Sequence, residues 1–385
     1  MNIVVYEDGC ENFYPLVNIL PQFNLRVGMK TIAEHTAPFF KRSRIDFIAR
    51  PLFELKEMSP KEPTLYLSSR LLLVRAFSVP RRDAKLEVGP ESLGLVKYKP
   101  PLPKSLDDIK DAMAAVKESK RVDGLVLNNI WDLIAFNEEI LVNQYRLYRK
   151  KNRINKRFHI IGNRKNLYVS KDAEVHKQVY FDASDGPIYV DSGVAIRPFS
   201  IIIGPAYIGP GTIVERAKIV KSSIGPHCRI GGEVEACIFQ GYSNKYHEGF
   251  IGHSFVGEWV NLGALTTNSD LKNNYGPVRV AVRQKLLDTG MMKLGCFIGD
   301  HTKLGIGTLI PTGAVIGSFV NFAGGGMMSR YVPDFNWMIQ NKHDNYDLER
   351  AISTAKIVMK RRNVRMSKQY ERVIRNFHEQ IRRCN

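Results

Sequence analysis

Aliphatic residues recur at every sixth position in two stretches of the chain: Val190, Ile196, Ile202, Ile208, Val214 and Val220, and again Ile298, Leu304, Ile310 and Ile316. This period matches neither a helix nor a simple strand alternation, so each hexad must bring the chain back to the same wall. A parallel β-helix does this. Its short strands turn at small or kinked residues and stack their aliphatic side chains in columns, so that neighbouring coils bury what one coil cannot. Suitable turn residues stand at Gly193, Pro198, Gly204, Gly209-Pro210-Gly211, Gly225-Pro226, Gly231-Gly232, Gly299, Gly305 and Gly313. A β-sandwich would space its turn signals about 8–12 residues apart, and the spacing here is too short and too regular for that.

The pattern divides the chain into three parts, 1–158, 159–332 and 333–385. The first reads as an α/β domain, shortened and Rossmann-like. Asn2–Tyr6 is a β-rich run ending in Glu7-Asp8-Gly9, and a strand that ends in such a loop is a common seat for a phosphate ligand. An amphipathic helix is expected from about Asn128 to Arg149, with Ile130, Leu133, Ile134, Ile140, Leu141 and Tyr145 on its apolar side. The second part is the β-helix. Its hexads break between Ile238 and Ile251 and again between Thr266 and Leu294, and insertions in a repeat fold commonly carry the binding site. Two basic helices form the third part.

Charge sharpens the reading of that tail. The chain carries a net charge of +18, and Arg350 to Asn385 holds eleven Lys and Arg against two Glu. A second basic run lies between Arg146 and Lys165. Such charge suits a nucleic acid, an anionic membrane surface or a phosphorylated substrate. The tail also has a helical apolar stripe, Met366, Tyr370, Val373, Ile374, Phe377 and Ile381, with Arg residues opposite, which favours a helix docked on the protein with a solvated basic face. The five cysteines are scattered, with no C-x-x-C pair, which argues against a disulfide framework or a zinc ribbon. No signal-like segment and no transmembrane run stand out, so a cytoplasmic location is expected.

Polar residues crowd beside the two interruptions: Lys245, His247, His253, Asn261, Asn268, Lys272, Asn273, Asn274 and Tyr275, with His301 further on. Imidazole exchanges protons near neutrality, while Asn amides and Lys hold sugar hydroxyls and phosphate. The bland alternatives are hydrogen-bonded structural histidines and the stacked asparagines common at turns.

The stretch from Lys245-Tyr246-His247-Glu248-Gly249-Phe250-Ile251-Gly252 through Val260-Asn261-Leu262-Gly263-Ala264 to Asn274-Tyr275-Gly276 resembles the GlmU-like sugar nucleotidyltransferases. These are relatives of the bifunctional UDP-N-acetylglucosamine pyrophosphorylase/glucosamine-1-phosphate N-acetyltransferase. Phe13-Tyr14-Pro15-Leu16, Leu25 to His35 and Asn129-Ile130-Trp131-Asp132-Leu133 are similar to the nucleotidyltransferase domain of the same group. The resemblance implies a left-handed β-helix, a homotrimer, a role in cell-envelope biosynthesis and two reactions: a nucleoside triphosphate and a sugar-1-phosphate give a nucleotide sugar and pyrophosphate, and acetyl-CoA acetylates an amino sugar phosphate.

It also implies roles for single residues. His247 stands where the family has its general base, with His253 and Asn261 as further catalytic candidates and Asn261 as a sugar contact. Lys245, Lys272, Asn274 and Tyr275 fall to sugar and phosphate binding. Ala264 and Asp300 fall to acyl-CoA, Asp300 standing where the family has a Ser, and Phe250 replaces the family's Tyr. In the first domain the Gly-rich loop and its catalytic Lys are missing. Gly9, Arg26, Gly28 and Lys30 become the nucleotide-binding candidates, and Asp8 and Asp123 the candidates to hold Mg²⁺. These absences keep open a different class of function, a catalytically degenerate nucleotide-sugar-binding or assembly protein whose tail binds a polyanion.

Overall fold

The computed structural model describes residues 1–384 apart from 41–42, 57–59, 61–62, 150–157, 283–284 and 340–341. The middle of the basic run from Arg146 to Lys165 therefore lies outside the described residues.

The hexads form a triangular prism of stacked coils. One face is a nine-stranded sheet running from Leu167–Val169 to Tyr331–Val332, parallel throughout. A second, the amide face, carries Asn244–Lys245, Asn261–Leu262, Lys303–Leu304, Asn321–Ala323 and Asn336–Ile339 in register. The third, outer face carries Phe250–Gly252, Thr267–Asn268, Thr308–Ile310 and Gly326–Met327. Stacking thus continues one strand beyond Val332.

The predicted columns lie inside this prism, since Val190, Ile196, Ile202, Ile208, Val214, Ile298, Leu304, Ile310 and Ile316 all join one buried core. Val220 departs from the pattern. Arg216 adopts a left-handed φ of 45° and the pairing register shifts between Glu215 and Ala217. From Val214 to its next inward position this coil has one residue fewer than the coil before, whose Ile196 and Ile202 pair with Val214 and Ile219, so Ile219 takes the buried place.

The edge between the nine-stranded face and the amide face turns through residues with positive φ at each coil: His227, Tyr242, Trp259, His301, Phe319 and Phe335. Bulky side chains rarely adopt that conformation. Here each backbone N–H is held by the preceding coil, as in Tyr242 to Pro226 O and His301 to Glu258 O, both at 2.8 Å. Their rings stack into a ladder, with centroids 4.3 Å apart for Tyr242 and Trp259 and 4.7 Å for Phe319 and Phe335.

The amino-terminal domain is built on a six-stranded mixed sheet in the order 45–48, 2–6, 64–68, 91–97, 84–88, 119–121. It leans on the nine-stranded face, where Ile238, Phe255, Phe297 and Val315 share a core with Phe13, Leu16, Leu127 and Ile130. The expected amphipathic helix spans Asp132–Tyr148 and bridges the two bodies. In the tail, helices Leu348–Lys360 and Lys368–Cys384 form as expected. Val373, Ile374 and Phe377 of the second pack on Leu52, Phe53, Phe319 and Phe335, so the apolar stripe clamps the tail to both domains. Several tail cations are already paired, as Arg375 with Glu349 and Glu371 and Lys356 with Glu371.

Candidate active site

The residues singled out in the β-helix fall around two edges of the outer face. On the edge it shares with the amide face, a tight turn from Tyr246 to Gly249 holds the His247 side chain out in solvent. The Lys245 Nζ fixes this turn from inside, donating to the carbonyls of Gly231 at 2.7 Å and His247 at 2.9 Å. Lys245 is therefore no outward phosphate contact. It is fully buried, and burial lowers its ammonium to about 8. The next coil is tied on by the Leu265 N–H donating to the Glu248 carbonyl at 2.8 Å, which brings Ala264 beside the His247 turn. Asn261 lies one strand away on the amide face and accepts from Asn244 Nδ2 at 2.9 Å. A groove of about 360 Å³ opens next to the turn, lined by Phe199, Lys218, Glu233, Glu248 and Phe250 among others.

The other edge carries the second interruption, which leaves the coils as the hairpin Arg279–Val282/Lys285–Asp288. Here His253 Nδ1 meets Asp270 Oδ2 at 2.7 Å. Burial opposes the charge on Asp270, but the hydrogen bond from His253 and the charges of His253 and Lys293 together outweigh it and hold the carboxyl below its usual range. Lys272 Nζ donates to the Pro277 carbonyl at 2.8 Å and Asn274 Oδ1 accepts from Gly276 N–H at 3.1 Å, while Tyr275 is exposed. Only the strand Phe250–Gly252 separates the two edges, about 10 Å at the rise of a β-strand. Asn268 has the bland role, clamping both the N–H and the carbonyl of Gly252.

Asp300 lies at neither edge. It sits within the aromatic edge, accepting from the Glu258 N–H at 2.6 Å. Burial, and then Glu258, push its carboxyl well above the usual range, so it is withdrawn from any acyl-CoA. His301 is equally internal, its ring stacked on Phe319 and its Nε2 3.0 Å from the Tyr370 hydroxyl.

In the first domain, Asp8 and Gly9 line a cleft of about 370 Å³ with Glu7, Arg50, Arg70 and Lys110. Arg26 and Gly28 are elsewhere. The Arg26 side chain and backbone bind Gln240 of the prism at 3.1 and 2.8 Å. Gly28 donates to Asn137 at 3.1 Å, and with φ at +62° a Cβ there would lie 2.6 Å from Gln144. Lys30 rests over the Tyr148 ring. Of the three, Arg26 docks the domain on the prism, while Gly28 and Lys30 pack on the helix Asp132–Tyr148.

The proposed metal carboxylates do not converge. Asp123 pairs with exposed Arg75 at the far end of the strand pair 71–73/124–126 from Arg70. Asp8 is engaged by Arg70 at 2.8 Å and by Ser68 at 2.8 Å. Neighbouring Glu7 is fully committed to Arg50 and Gln22, accepting from Arg50 Nε at 3.0 Å and its backbone N–H at 2.7 Å and from the Gln22 N–H at 2.9 Å. Among the described residues no group of three His, Cys, Asp or Glu assembles that suits a metal ion. These side chains do not fit a Mg²⁺ site.

Residues 3–153 match the family described as sugar nucleotidyl transferase. The bifunctional protein GlmU of Methanocaldococcus jannaschii is 25% identical over 213 residues, 55% of this chain and 48% of that protein. The chain is similar to GlmU over that span. A bifunctional sugar-1-phosphate nucleotidylyltransferase/acetyltransferase of Sulfurisphaera tokodaii is 31% identical over 137 residues, 36% of this chain but only 29% of that enzyme. The chain thus spans about half the archaeal GlmU and less of the Sulfurisphaera protein. Among solved structures, the polySia-specific acetyltransferase NeuO aligns with 52% of this chain and 98% of its own at 12% identity and a TM-score of 0.31, a likeness too slight to bear on function. Among the described residues no helix is long and apolar enough to cross a membrane.

Sequence reasoning missed the aromatic edge and the cationic residues beside it, Arg229, Lys303 and Arg362. The signal was present, as an aromatic or His residue recurring about once per coil from His227 to Phe335.

Proposed function

We propose that this GlmU-like chain is a transferase whose acyl-transfer centre is the His247 turn. The amine of an amino sugar phosphate attacks the thioester carbon of acetyl-CoA and a C–N bond forms as the C–S bond breaks. His247 takes the proton from the amine and returns it to the departing thiolate. The observation that carries this reading is a solvent-facing imidazole on a turn pinned by a buried ammonium, beside a groove. Ala264, on the adjoining coil, is placed to line the path of the acyl group.

A homotrimer suits the same edge. Phe199, Leu265, Ile306 and Met327 on and beside it are between 63% and 73% exposed, an unusual apolar row for a free surface, and a second copy would cover it and enclose His247. In the first domain the family reading is nucleotidyl transfer between a nucleoside triphosphate and a sugar-1-phosphate. A second reading has its own support: Glu7 and Asp8, at the strand end where such chemistry would gather, are neutralised by Arg50 and Arg70, which suits a domain that holds a nucleotide sugar without making one.

Pyrophosphate release separates the two. With UTP or dTTP, a panel of sugar-1-phosphates and Mg²⁺, sustained sugar-dependent release is the outcome expected of nucleotidyl transfer. Silence across the panel, with nucleotide sugars still raising the melting temperature, assigns the domain to binding.

A further inference from the structure

A cavity of about 630 Å³ lies between the amide face and the end of helix Leu348–Lys360. The coils contribute Arg229, Asn244, Asn261 and Lys303, and the tail contributes Arg361 and Arg362. The lining contains no carboxylate. Among the described residues no acidic side chain forms an ion pair with Arg229, Arg361 or Arg362. Lys303 spends its donors on the carbonyls of Trp259 and His301 at 2.7 and 2.8 Å.

Three guanidiniums, those of Arg229, Arg361 and Arg362, therefore line a shared space without a counter-charge, with Arg229 also donating to the carbonyls of Gly211 and Cys228 at 3.3 and 3.2 Å. Burial, and after it the neighbouring Arg362, hold Arg229 below the usual guanidinium range, and burial does the same to Arg362. Such an arrangement is costly when empty and is relieved by an anion. The aromatic edge adds to this. Tyr242 has His227 and Trp259 stacked on its faces, and Trp259 has Tyr242 and His301, so both rings offer the cavity their electropositive rims. The Asn244–Asn261 pair leaves the Asn261 amide N–H and the Asn244 carbonyl for hydroxyl groups. The volume exceeds what a bare phosphate fills and suits a small organic ligand.

We propose that this cavity binds a phosphorylated sugar, with the phosphate clasped between Arg229 of the coils and Arg362 of the tail and the hydroxyls met by Asn244 and Asn261. The basic tail is then the second wall of a ligand site, and the ligand fastens it to the prism. The site is separate from the groove beside His247, and the inference does not rest on acetyl transfer taking place.

The test is calorimetric titration of the full chain, without acyl-CoA, using glucosamine-1-phosphate, UDP-N-acetylglucosamine and unphosphorylated glucosamine. One or both phosphorylated probes are expected to bind and glucosamine not. Arg362→Gln and Arg229→Gln are each expected to weaken binding about tenfold or more, and Arg382→Gln, an exposed tail cation outside the cavity lining, to leave it unchanged. Arg362→Lys keeps the charge without the fork and is expected to lose severalfold, which reports on the same contact should a glutamine variant unfold. Glucosamine binding as tightly as its phosphate, or unaltered affinity in folded Arg362 and Arg229 variants, overturns the proposal. Because binding alone is read, an acetyl-transfer-inactive protein still gives an answer.

Discussion

His247→Ala is expected to lower the rate of acetyl transfer to an amino sugar phosphate by about 10²–10⁴-fold, the usual contribution of a positioned general base. The melting temperature should stay where it is. Both halves follow from the same geometry: the imidazole is exposed, so removing it opens no cavity, while the turn is held through the His247 carbonyl by Lys245, a contact that alanine retains. The rate loss should appear in kcat and be partly rescued by added imidazole. Unchanged turnover would take His247 out of the mechanism, and a large fall in melting temperature would show the side chain to be structural.

The second large effect concerns stability. Asp334 Oδ1 accepts from the Ser318 N–H at 2.6 Å and from the Asn18 side chain, joining prism to first domain. Burial raises its carboxyl from 3.8 to about 7. The folded state therefore binds this proton more tightly than the unfolded chain does. The stability so gained is complete below about pH 4 and is lost as the pH rises through about 7. Asp334→Asn keeps an acceptor for both donors and never ionises. Its stability relative to wild type is expected to rise by roughly 3 kcal/mol between pH 5 and pH 8, measured by urea denaturation at the two pH values. The comparison isolates this group from Lys303 and Lys245, whose ammoniums burial lowers to about 7 and about 8 in both proteins alike. A difference that does not change with pH would mean that Asp334 is ionised in the folded state.

What could be read in the sequence was whatever repeats locally. The hexads mark buried columns because each coil repeats the same packing problem, and the column shifts at Arg216, where the coil is one residue short of a hexad. The tail's stripe was legible for a similar reason: Val373, Ile374 and Phe377 share one side of a helix whatever they touch. Long-range pairing was not legible. Arg26 carries the type of charge a nucleotide site needs, yet its partner is Gln240, far along the chain. Asp8 had the right loop for a phosphate or metal, but nothing nearby in sequence announces Arg70 as its counter-charge. Lys245 read as a surface cation because local polarity cannot distinguish a side chain that points into a turn from one that points away. The cationic cavity escaped because its two walls come from Arg229 and Arg362, on elements that only the folded chain brings together.

The transferase reading is tested most directly by thiol release from acetyl-CoA. Wild-type protein mixed with acetyl-CoA and a panel of amino sugar phosphates, followed with a thiol-reactive dye, is predicted to release one thiol for each N-acetylated sugar formed, and none without the acceptor. No acceptor-dependent thiol across the panel, from protein that is folded and assembled, would contradict it.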